Sequence, residues 1–165
     1  MAPIDAPKLT HAFDLTIAGP AGIEAKATEH SARSVGVVAR GSLVSADGTI
    51  KLDVKTGADW MTLHSNYAHI DARVSCLSPA GQEPAINCEI EYKGIYSLEG
   101  AMLDVWAGKR ASIDWGESYY YTAPLMESRN EELAWVNKAV FLSMGKIRVR
   151  DDGYIEVVYR IFKVG

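Results

Sequence analysis

The sequence predicts an all-β domain, an antiparallel barrel or a two-layer sandwich, with one short helix. Apolar residues recur at every second position through most of the chain, which is the spacing of half-buried strands. Phe13, Leu15 and Ile17 show this pattern, because the residues between them, Asp14 and Thr16, are polar. Turn signals separate many short runs of this kind, as in barrels and sandwiches. We favour a closed single barrel because closure leaves no exposed strand edge.

Length and composition indicate one globular domain. The 165 residues can form one hydrophobic core and are too few for two ordinary domains, so residues 1–165 are treated as one unit. The apolar share of 48% and the charged share of 23% are usual for globular domains and exclude a disordered or collagen-like chain. Residues 1–8 contain two prolines and are expected to form an extended arm.

The charge pattern argues against a nucleic-acid-binding or membrane protein. The net charge is -4 and the basic residues are scattered, so no basic stripe is available to neutralise phosphates. No apolar run approaches the roughly 20 residues of a membrane helix. The N-terminal segment lacks the basic and apolar regions of a secretory signal. We therefore expect a cytoplasmic protein in which Cys76 and Cys88 are reduced thiols.

The alternation and the turn signals place several individual elements. Two longer strands are predicted over residues 67–77 and 85–96, and a strand is predicted over residues 135–144. A break is expected at residues 56–58, followed by a short strand over residues 60–63.

One helix is predicted close to residue 100. Apolar residues from Met102 to Trp106 fall at helical spacing, Ser97 can cap the first turn, and Gly108 can end the helix. We expect Met102 and Trp106 to pack into the core.

A hairpin centred on Gly81 decides which side chains of two strands share a face. We expect Leu77 to pair with Ile86. The polar and aromatic residues then expected on one face are His69, Asp71, Arg73 and Tyr92. The same register places Cys76 and Cys88 on opposite faces, which also argues against a disulfide.

The preceding tight turn brings a third strand to this face. It places Trp60 opposite Asp71, so that Trp60, Asp71, Arg73 and Tyr92 form one patch. Asp59 points to the other side if the strand extends that far. Its role therefore depends on the shape of residues 56–58.

The predicted strand at residues 135–144 offers two further interior residues. Lys138 belongs in solvent, so Trp135 and Asn137 are expected to face the barrel interior. Asn137 would need partners there, because a buried unpaired amide costs about 1–3 kcal/mol.

The chain lacks the motifs of most cofactor-dependent enzymes. It has no glycine-rich phosphate loop, nucleophile elbow or paired Cys-x-x-Cys, and its four histidines are spread without ligand spacing. We therefore expect no metal and no cofactor. The mechanism left by these exclusions is acid–base catalysis by a carboxyl group in an apolar pocket. Desolvation in such a pocket raises the pKa of a carboxyl group toward neutrality. Arg73 would oppose this shift at Asp71, which leaves Asp59 or Glu91 as the alternative acid.

The ordered motifs of the chain resemble those of the domain-of-unknown-function 3237 family. They are Gly-Ala-Asp-Trp at 57–60, Asp-Ala-Arg at 71–73, Tyr-Lys-Gly at 92–94, Tyr-Tyr-Thr-Ala-Pro at 120–124, Trp-Val-Asn-Lys at 135–138 and the closing strand at 158–164. The resemblance spans roughly Leu9 to Val164. It implies a small calycin-like β-barrel with one helix across or beside it.

The activity of this family is mostly unassigned, and some fungal members are encoded among natural-product genes. The resemblance therefore implies a cofactor-free ring closure or isomerisation. Thr56 replaces a glycine that often precedes the first motif, and Tyr119 to Tyr121 replace a Tyr-Phe pair. Both departures touch the expected pocket rim, so the identity of the substrate is not transferred.

Our first hypothesis is a cofactor-independent cyclase or isomerase of a small aromatic or prenylated metabolite. A hydroxyl group would add to an alkene within one molecule, with Asp59 or Asp71 as the acid and Arg73 beside it. Arg73 and Asn137 would orient the substrate oxygens. The residues expected to bind the substrate are Trp60, His69, Tyr92, Tyr121, Trp135 and Asn137, with the aromatic faces stabilising a cation.

Two other hypotheses compete with this one. One is a lipocalin-like barrel that binds a hydrophobic small molecule without changing it. The other is a homodimer in which outer apolar residues such as Val140 and Leu142 pack against a second copy.

Overall fold

Eleven strands and two short helices form the fold over residues 5–26 and 31–165, which the computed structural model describes. The strands are β1 (Leu9–Gly19), β2 (Ile23–Lys26), β3 (Ala32–Val37), β4 (Arg40–Ser45), β5 (Lys51–Leu63), β6 (Tyr67–Leu77), β7 (Asn87–Ser97), β8 (Ser112–Ile113), β9 (Tyr120–Glu127), β10 (Phe141–Val149) and β11 (Ile155–Val164). Helix α1 (Gly100–Trp106) follows β7, and a 3-10 helix (Ala134–Lys138) follows β9. Of the predicted arm, residues 1–4 lie outside the described residues, and residues 5–8 are exposed without regular structure.

Eight strands close into an antiparallel barrel, as the sequence predicted. The order around the barrel is β5, β4, β1, β11, β10, β9, β7 and β6, and pairing of β6 with β5 completes the ring. The β2–β3 hairpin extends the sheet along the second half of β5, and the two-residue strand β8 pairs with β10.

The barrel interior is filled by the apolar half of each alternating strand. In β6 the inward residues are Ala68, Ile70, Ala72, Val74 and Cys76. One end of the barrel is plugged where Trp135 stacks on Phe13 with ring centroids 5.7 Å apart, beside the buried Leu133, Val136 and Phe141. The two alanines of β6, Ala68 and Ala72, lie next to Tyr96 and Asp59 and leave room for larger side chains from facing strands.

Strand β5 carries a β-bulge that reverses which of its residues face inward. Leu52 and Val54 are buried before the bulge, which lies between Val54 and Thr56. Beyond it the pairing of Asp59 with Ala72 turns the odd-numbered residues to the interior. The predicted break at residues 56–58 is therefore wrong, because the extra residue of the bulge is accommodated without ending the strand.

The predicted register of the β6–β7 hairpin is wrong by one residue. Leu77 pairs with Asn87, since the backbone N–H of Ser78 already donates to the carbonyl of Ile86 at 2.8 Å. The shift moves the whole β7 set to the opposite face. Cys76 and Cys88 are consequently direct neighbours on the inner face, where both are free thiols.

The predicted strand at residues 135–144 begins later than expected. Residues 134–138 form the 3-10 helix, in which Val136 is buried and Trp135 and Asn137 are exposed. Asn137 holds the preceding loop, because its side chain accepts from the backbone N–H of Ser128 and donates to the carbonyl of Ser128, both at 2.8 Å.

Helix α1 confirms the predicted helix in a shorter form. Its buried residues are Met102 and Val105, whereas Leu103 and Trp106 are exposed. Ser97 lies before the helix, and its hydroxyl accepts a hydrogen bond from the backbone N–H of Glu99 at 3.2 Å. Trp106 is therefore not the core residue we expected. Among the described helices, none has the length and apolar character to cross a membrane.

The bulged strand predicts a stability difference between two glycines. A methyl group at Gly57 would lie 2.7 Å from the carbonyl oxygen of Arg73 and 2.6 Å from the Val74 side chain, so Gly57→Ala should cost about 1–3 kcal/mol of unfolding free energy. At Gly36 the nearest atom would be 3.9 Å away, so Gly36→Ala should change stability by less than about 1 kcal/mol. Urea unfolding of both variants checks this, and equal effects would contradict the close approach of β5 to β6.

Candidate functional site

An apolar pocket opens at the end of the barrel opposite the Trp135 plug. The empty space that it outlines, with open solvent at the mouth included, is about 630 Å³. Helix α1 contributes Met102 and Trp106 to its wall, and β10 and β11 contribute Ile147, Ile155 and Val157. Three tyrosines, Tyr96, Tyr120 and Tyr159, line its inner part. The walls are therefore almost entirely aliphatic and aromatic.

Asp59 is the one carboxylate among the described residues that line this pocket. The bulge in β5 turns its side chain inward, beside Met61. The backbone N–H of Asp71 donates to Asp59 Oδ1 at 3.2 Å, and within the described ranges Asp59 forms no ion pair with Lys, Arg or His. A carboxyl group is thus held in an apolar site without a counter-ion.

Burial raises the pKa of Asp59 from 3.8 to about 7. Desolvation of the charged form is the largest cause, the hydrogen bond from the Asp71 N–H opposes it, and the negative charge of Asp71 adds to it. A carboxyl group with such a pKa is partly protonated at neutral pH and can give or take a proton there.

Four tyrosines form a connected cluster next to Asp59. The hydroxyl groups of Tyr120 and Tyr159 are 2.7 Å apart, and the Tyr96 hydroxyl donates to the sulfur of Met61 at 3.5 Å. The Tyr92 ring lies 4.9 Å from that of Tyr159, and its buried hydroxyl makes no hydrogen bond of ordinary geometry within the described chain.

Burial raises the pKa of Tyr92, Tyr96, Tyr120 and Tyr159, and the charge of Asp59 acts in the same direction on each. They are consequently neutral phenols at physiological pH. Neutral tyrosines offer hydrogen bonds to a substrate oxygen and π faces to a positive charge.

Three predicted site residues converge, but on the outer surface of the barrel. The pairing of β5 with β6 places Trp60 opposite Asp71, as predicted, and Arg73 follows on the same face. Arg73 lies 3.8 Å from Asp71 and 3.4 Å from Glu91, and the Arg73 side chain is exposed whereas the two carboxylates are partly exposed. Asp71 and Arg73 therefore form an ion pair on the barrel surface and do not reach the pocket.

Tyr92 does not join this outer patch, because the corrected register pairs it with Ala72 and turns it inward. His69 lies outside, where its Nδ1 is 3.2 Å from His64 Nε2. Tyr121 is also on the outer face with 43% of its surface exposed, and its neighbour Tyr120 points inward instead. Trp135 and Asn137 lie at the plugged end, away from the pocket.

Tyr96 and Tyr159 were not predicted as pocket residues, and Tyr120 was placed at the pocket rim with its neighbours but not selected as a site residue. The two-residue spacing could have found Tyr96, because it shares the inward face of β7 with Tyr92. The same alternation along β9 favours Tyr120 together with Thr122. Nothing local marks Tyr159, which reaches the cluster through the pairing of β11 with β1 and β10.

Outside the pocket, Val140 and Leu142 are exposed, at 68% and 45% of their surfaces. The homodimer through this apolar surface stays a prediction, which light scattering on a size-exclusion column checks. In the part of the chain that the structure describes, no group of three or more His, Cys, Asp or Glu residues could hold a metal ion.

The buried carboxyl predicts an unusual dependence of stability on pH. Folded Asp59 keeps its proton up to pH of about 7, whereas the unfolded chain loses it near 3.8, so Asp59 contributes stability at low pH that is lost as pH rises toward 7. Relative to Asp59→Asn, the wild type should lose about 1–3 kcal/mol of unfolding free energy between pH 5 and 8. Urea unfolding at both pH values measures this difference.

Asp71→Asn is the matched control, because it removes a partly exposed carboxylate from the outer face of the next strand. Between pH 5 and 8, this variant should lose most of the unfolding free energy that the wild type loses. If the difference in unfolding free energy between the wild type and Asp59→Asn were the same at pH 5 and pH 8, Asp59 would not be desolvated.

Solved structures with the same barrel come from bacteria and a fungus. A conserved protein of unknown function from Rhodopseudomonas palustris is 16% identical, with a TM-score of 0.79 over 98% of this chain and 100% of that chain. A β-barrel-like protein from Acinetobacter baumannii is 16% identical, with a TM-score of 0.73 over 100% of both chains. An enzyme from Penicillium herquei is 11% identical, with a TM-score of 0.64 over 100% of this chain and 99% of that chain. At these identities the similarity shows the fold.

The sequence itself gives a family assignment. No curated protein matches it. The model of the proteins of unknown function DUF3237 matches residues 7–164, which is nearly the whole chain. The chain therefore belongs to the DUF3237 family.

Proposed function

We propose that this protein is a cofactor-independent cyclase or isomerase that acts on a small aromatic or prenylated metabolite. The observation that carries the proposal is Asp59, a carboxyl group without a counter-ion in an apolar pocket walled by tyrosines. Such a pocket takes an apolar ligand and offers one group that transfers a proton near neutral pH.

The reaction is the addition of a hydroxyl group to an alkene within one molecule. Asp59 in its protonated form gives its proton to one alkene carbon, and the positive charge develops on the more substituted carbon. The substrate hydroxyl oxygen then forms a C–O bond to that carbon and closes the ring. The hydroxyl proton returns to the Asp59 carboxylate, so the product is an isomer of the substrate and the acid is regenerated.

The tyrosine cluster supports each stage of this reaction. The aromatic faces of Tyr96, Tyr120 and Tyr159 stabilise the developing positive charge, and the newly formed Asp59 carboxylate lies beside it. The hydroxyl groups available to orient the substrate oxygen inside the pocket also belong to these tyrosines. Arg73 and Asn137, which we expected to orient the oxygen, lie outside the pocket.

One structural neighbour adds support. The Penicillium herquei protein, which has the same barrel, is described as an enzyme. This supports the capacity of such a barrel for catalysis.

A hydrophobic binding protein is the second candidate, favoured by the open mouth and apolar walls of the pocket. Incubation with 2-(3-methylbut-2-enyl)phenol and related prenylated phenols distinguishes the two. The cyclase converts the phenol to 2,2-dimethylchroman, which has the same mass. When the reaction runs in deuterated water, the product carries one deuterium on carbon. Binding of the panel without any conversion would favour the binding protein.

Loss of the Asp59 acid is the central activity prediction. Asp59→Asn should lower the turnover rate by at least about 100-fold, since general acid catalysis contributes 10²–10⁴-fold. Asp71→Asn and Trp60→Ala should keep rates near that of the wild type, because both side chains lie on the outer face. Chromatography of the isomeric product measures the rates after circular dichroism has shown that the variants are folded. A folded Asp59→Asn variant with the wild-type rate would disprove this mechanism.

The protonation state of Asp59 also predicts a pH profile. The rate at saturating substrate should be constant at low pH and fall as pH rises through about 7, because the carboxyl must hold its proton at the first step. Initial rates between pH 5 and 9 measure this. A rate that increases through this range would assign Asp59 the role of a base.

A further inference from the structure

The pocket combines one negative charge with several aromatic faces, a set of groups that suits a positively charged ligand. Ammonium groups are bound in proteins by aromatic rings within about 6 Å and by a nearby carboxylate. Here Asp59 and the rings of Tyr96, Tyr120 and Tyr159 line one cavity, and Trp106 stands at its wall. The Tyr96 hydroxyl reaches the sulfur of Met61, which lies beside Asp59 on the inward face of β5, and the hydroxyl groups of Tyr120 and Tyr159 are 2.7 Å apart in the same cavity.

The charges that line the pocket favour a cationic ligand over an anionic one. Among the described residues that line it, none is Lys, Arg or His, so a carboxylate, sulfate or phosphate ligand would enter without a compensating charge. Burying an unpaired anion in an apolar site is strongly unfavourable. A cation, by contrast, gains an ion pair with Asp59 and contact with the rings.

We infer that the Asp59 pocket binds hydrophobic organic cations, in which an ammonium group is attached to an aromatic or aliphatic body. The link between this cation site and catalysis rests on the proposed function. A stable ammonium ion reproduces the charge that develops on the substrate carbon, and tight binding of such a mimic is expected where the transition state is bound more tightly than the substrate.

Cation binding is coupled to the proton of Asp59. The groups facing this carboxyl inside the barrel are Tyr96 and Tyr92 from β7, Tyr120 from β9, Tyr159 from β11 and the Asp71 backbone N–H from β6, whereas the Asp71 carboxylate acts on it from the outer face. The tyrosines stay neutral below pH 9 because burial raises their pKa values, so Asp59 is the group in this set that changes charge near neutrality. The ionised fraction of a carboxyl with a pKa of about 7 increases about tenfold between pH 6 and pH 8.

The test uses benzyltrimethylammonium, whose charge does not change with pH, and its uncharged carbon isostere neopentylbenzene. Quenching of tryptophan fluorescence or calorimetry measures the affinity of each at pH 6 and pH 8. We expect the cation to bind about tenfold more tightly at pH 8 in the wild type and in Asp71→Asn. We expect no gain with pH for neopentylbenzene, nor for the cation with Asp59→Asn.

The aromatic part of the site has its own variants. Tyr96→Phe keeps the ring and should bind the cation within about threefold of the wild type, whereas Tyr96→Leu should weaken it about tenfold. Cation affinity that is independent of pH, or an equal gain in Asp59→Asn, would overturn the inference, as would the absence of cation binding.

The wild-type pH dependence keeps the test decisive even where Asp59→Asn does not fold. It also separates this inference from the proposed function. If the cation binds with the expected pH dependence and no prenylated phenol is converted, the cyclase proposal fails and the cation site stands. If the phenols are converted and the cation does not bind, the cyclase proposal stands and the cation-site inference fails.

Discussion

The β-bulge in β5 is the constraint on which the candidate site depends. A regular strand would place Asp59 on the same face as Asp53 and Lys55, in solvent. The bulge between Val54 and Thr56 inserts one residue and turns Asp59 and Met61 into the barrel. Gly57 is required beside it, because β6 passes too close for a larger residue. Bulges near active sites commonly redirect one side chain in this way.

The electrostatics of the pocket follow from that redirection. Burying an ionised carboxyl group inside the barrel is unfavourable in free energy, and one hydrogen bond from the Asp71 backbone N–H offsets part of this cost. The remaining cost appears as the raised pKa of Asp59. A mobile counter-ion such as Arg73 would relieve it, but Arg73 belongs to the outer face and pairs with Glu91. Stability is thus reduced at neutral pH by the same feature that gives the pocket a reactive proton.

Much of the fold could be predicted from the sequence, because period-two alternation reports directly on the inward face of each strand. Phe13, Leu15 and Ile17 are buried as the alternation predicted, and β6 spans the expected residues. The tight turn that placed Trp60 opposite Asp71 was also predictable, since its two strands are joined by few residues. These are local relations, which a sequence carries most reliably.

The site was less predictable, because it depends on features that single residues do not signal. A bulge at Lys55 and a one-residue shift at the Gly81 hairpin each move a whole set of side chains to the other face. The first brought Asp59 in, and the second separated Tyr92 from Asp71 and Arg73. Tyr159 meets Tyr120 only because β10 lies between their strands in the closed barrel.

The most direct measurement is the ionisation of Asp59 itself. A carbon-13 NMR titration of the carboxyl carbons, with the Asp59 signal assigned by its absence in Asp59→Asn, gives the pKa without reference to any substrate. Enclosure in the apolar pocket predicts a titration midpoint of about 7. A midpoint close to the usual aspartate value of about 4 would show that Asp59 is solvated and would contradict the site described here.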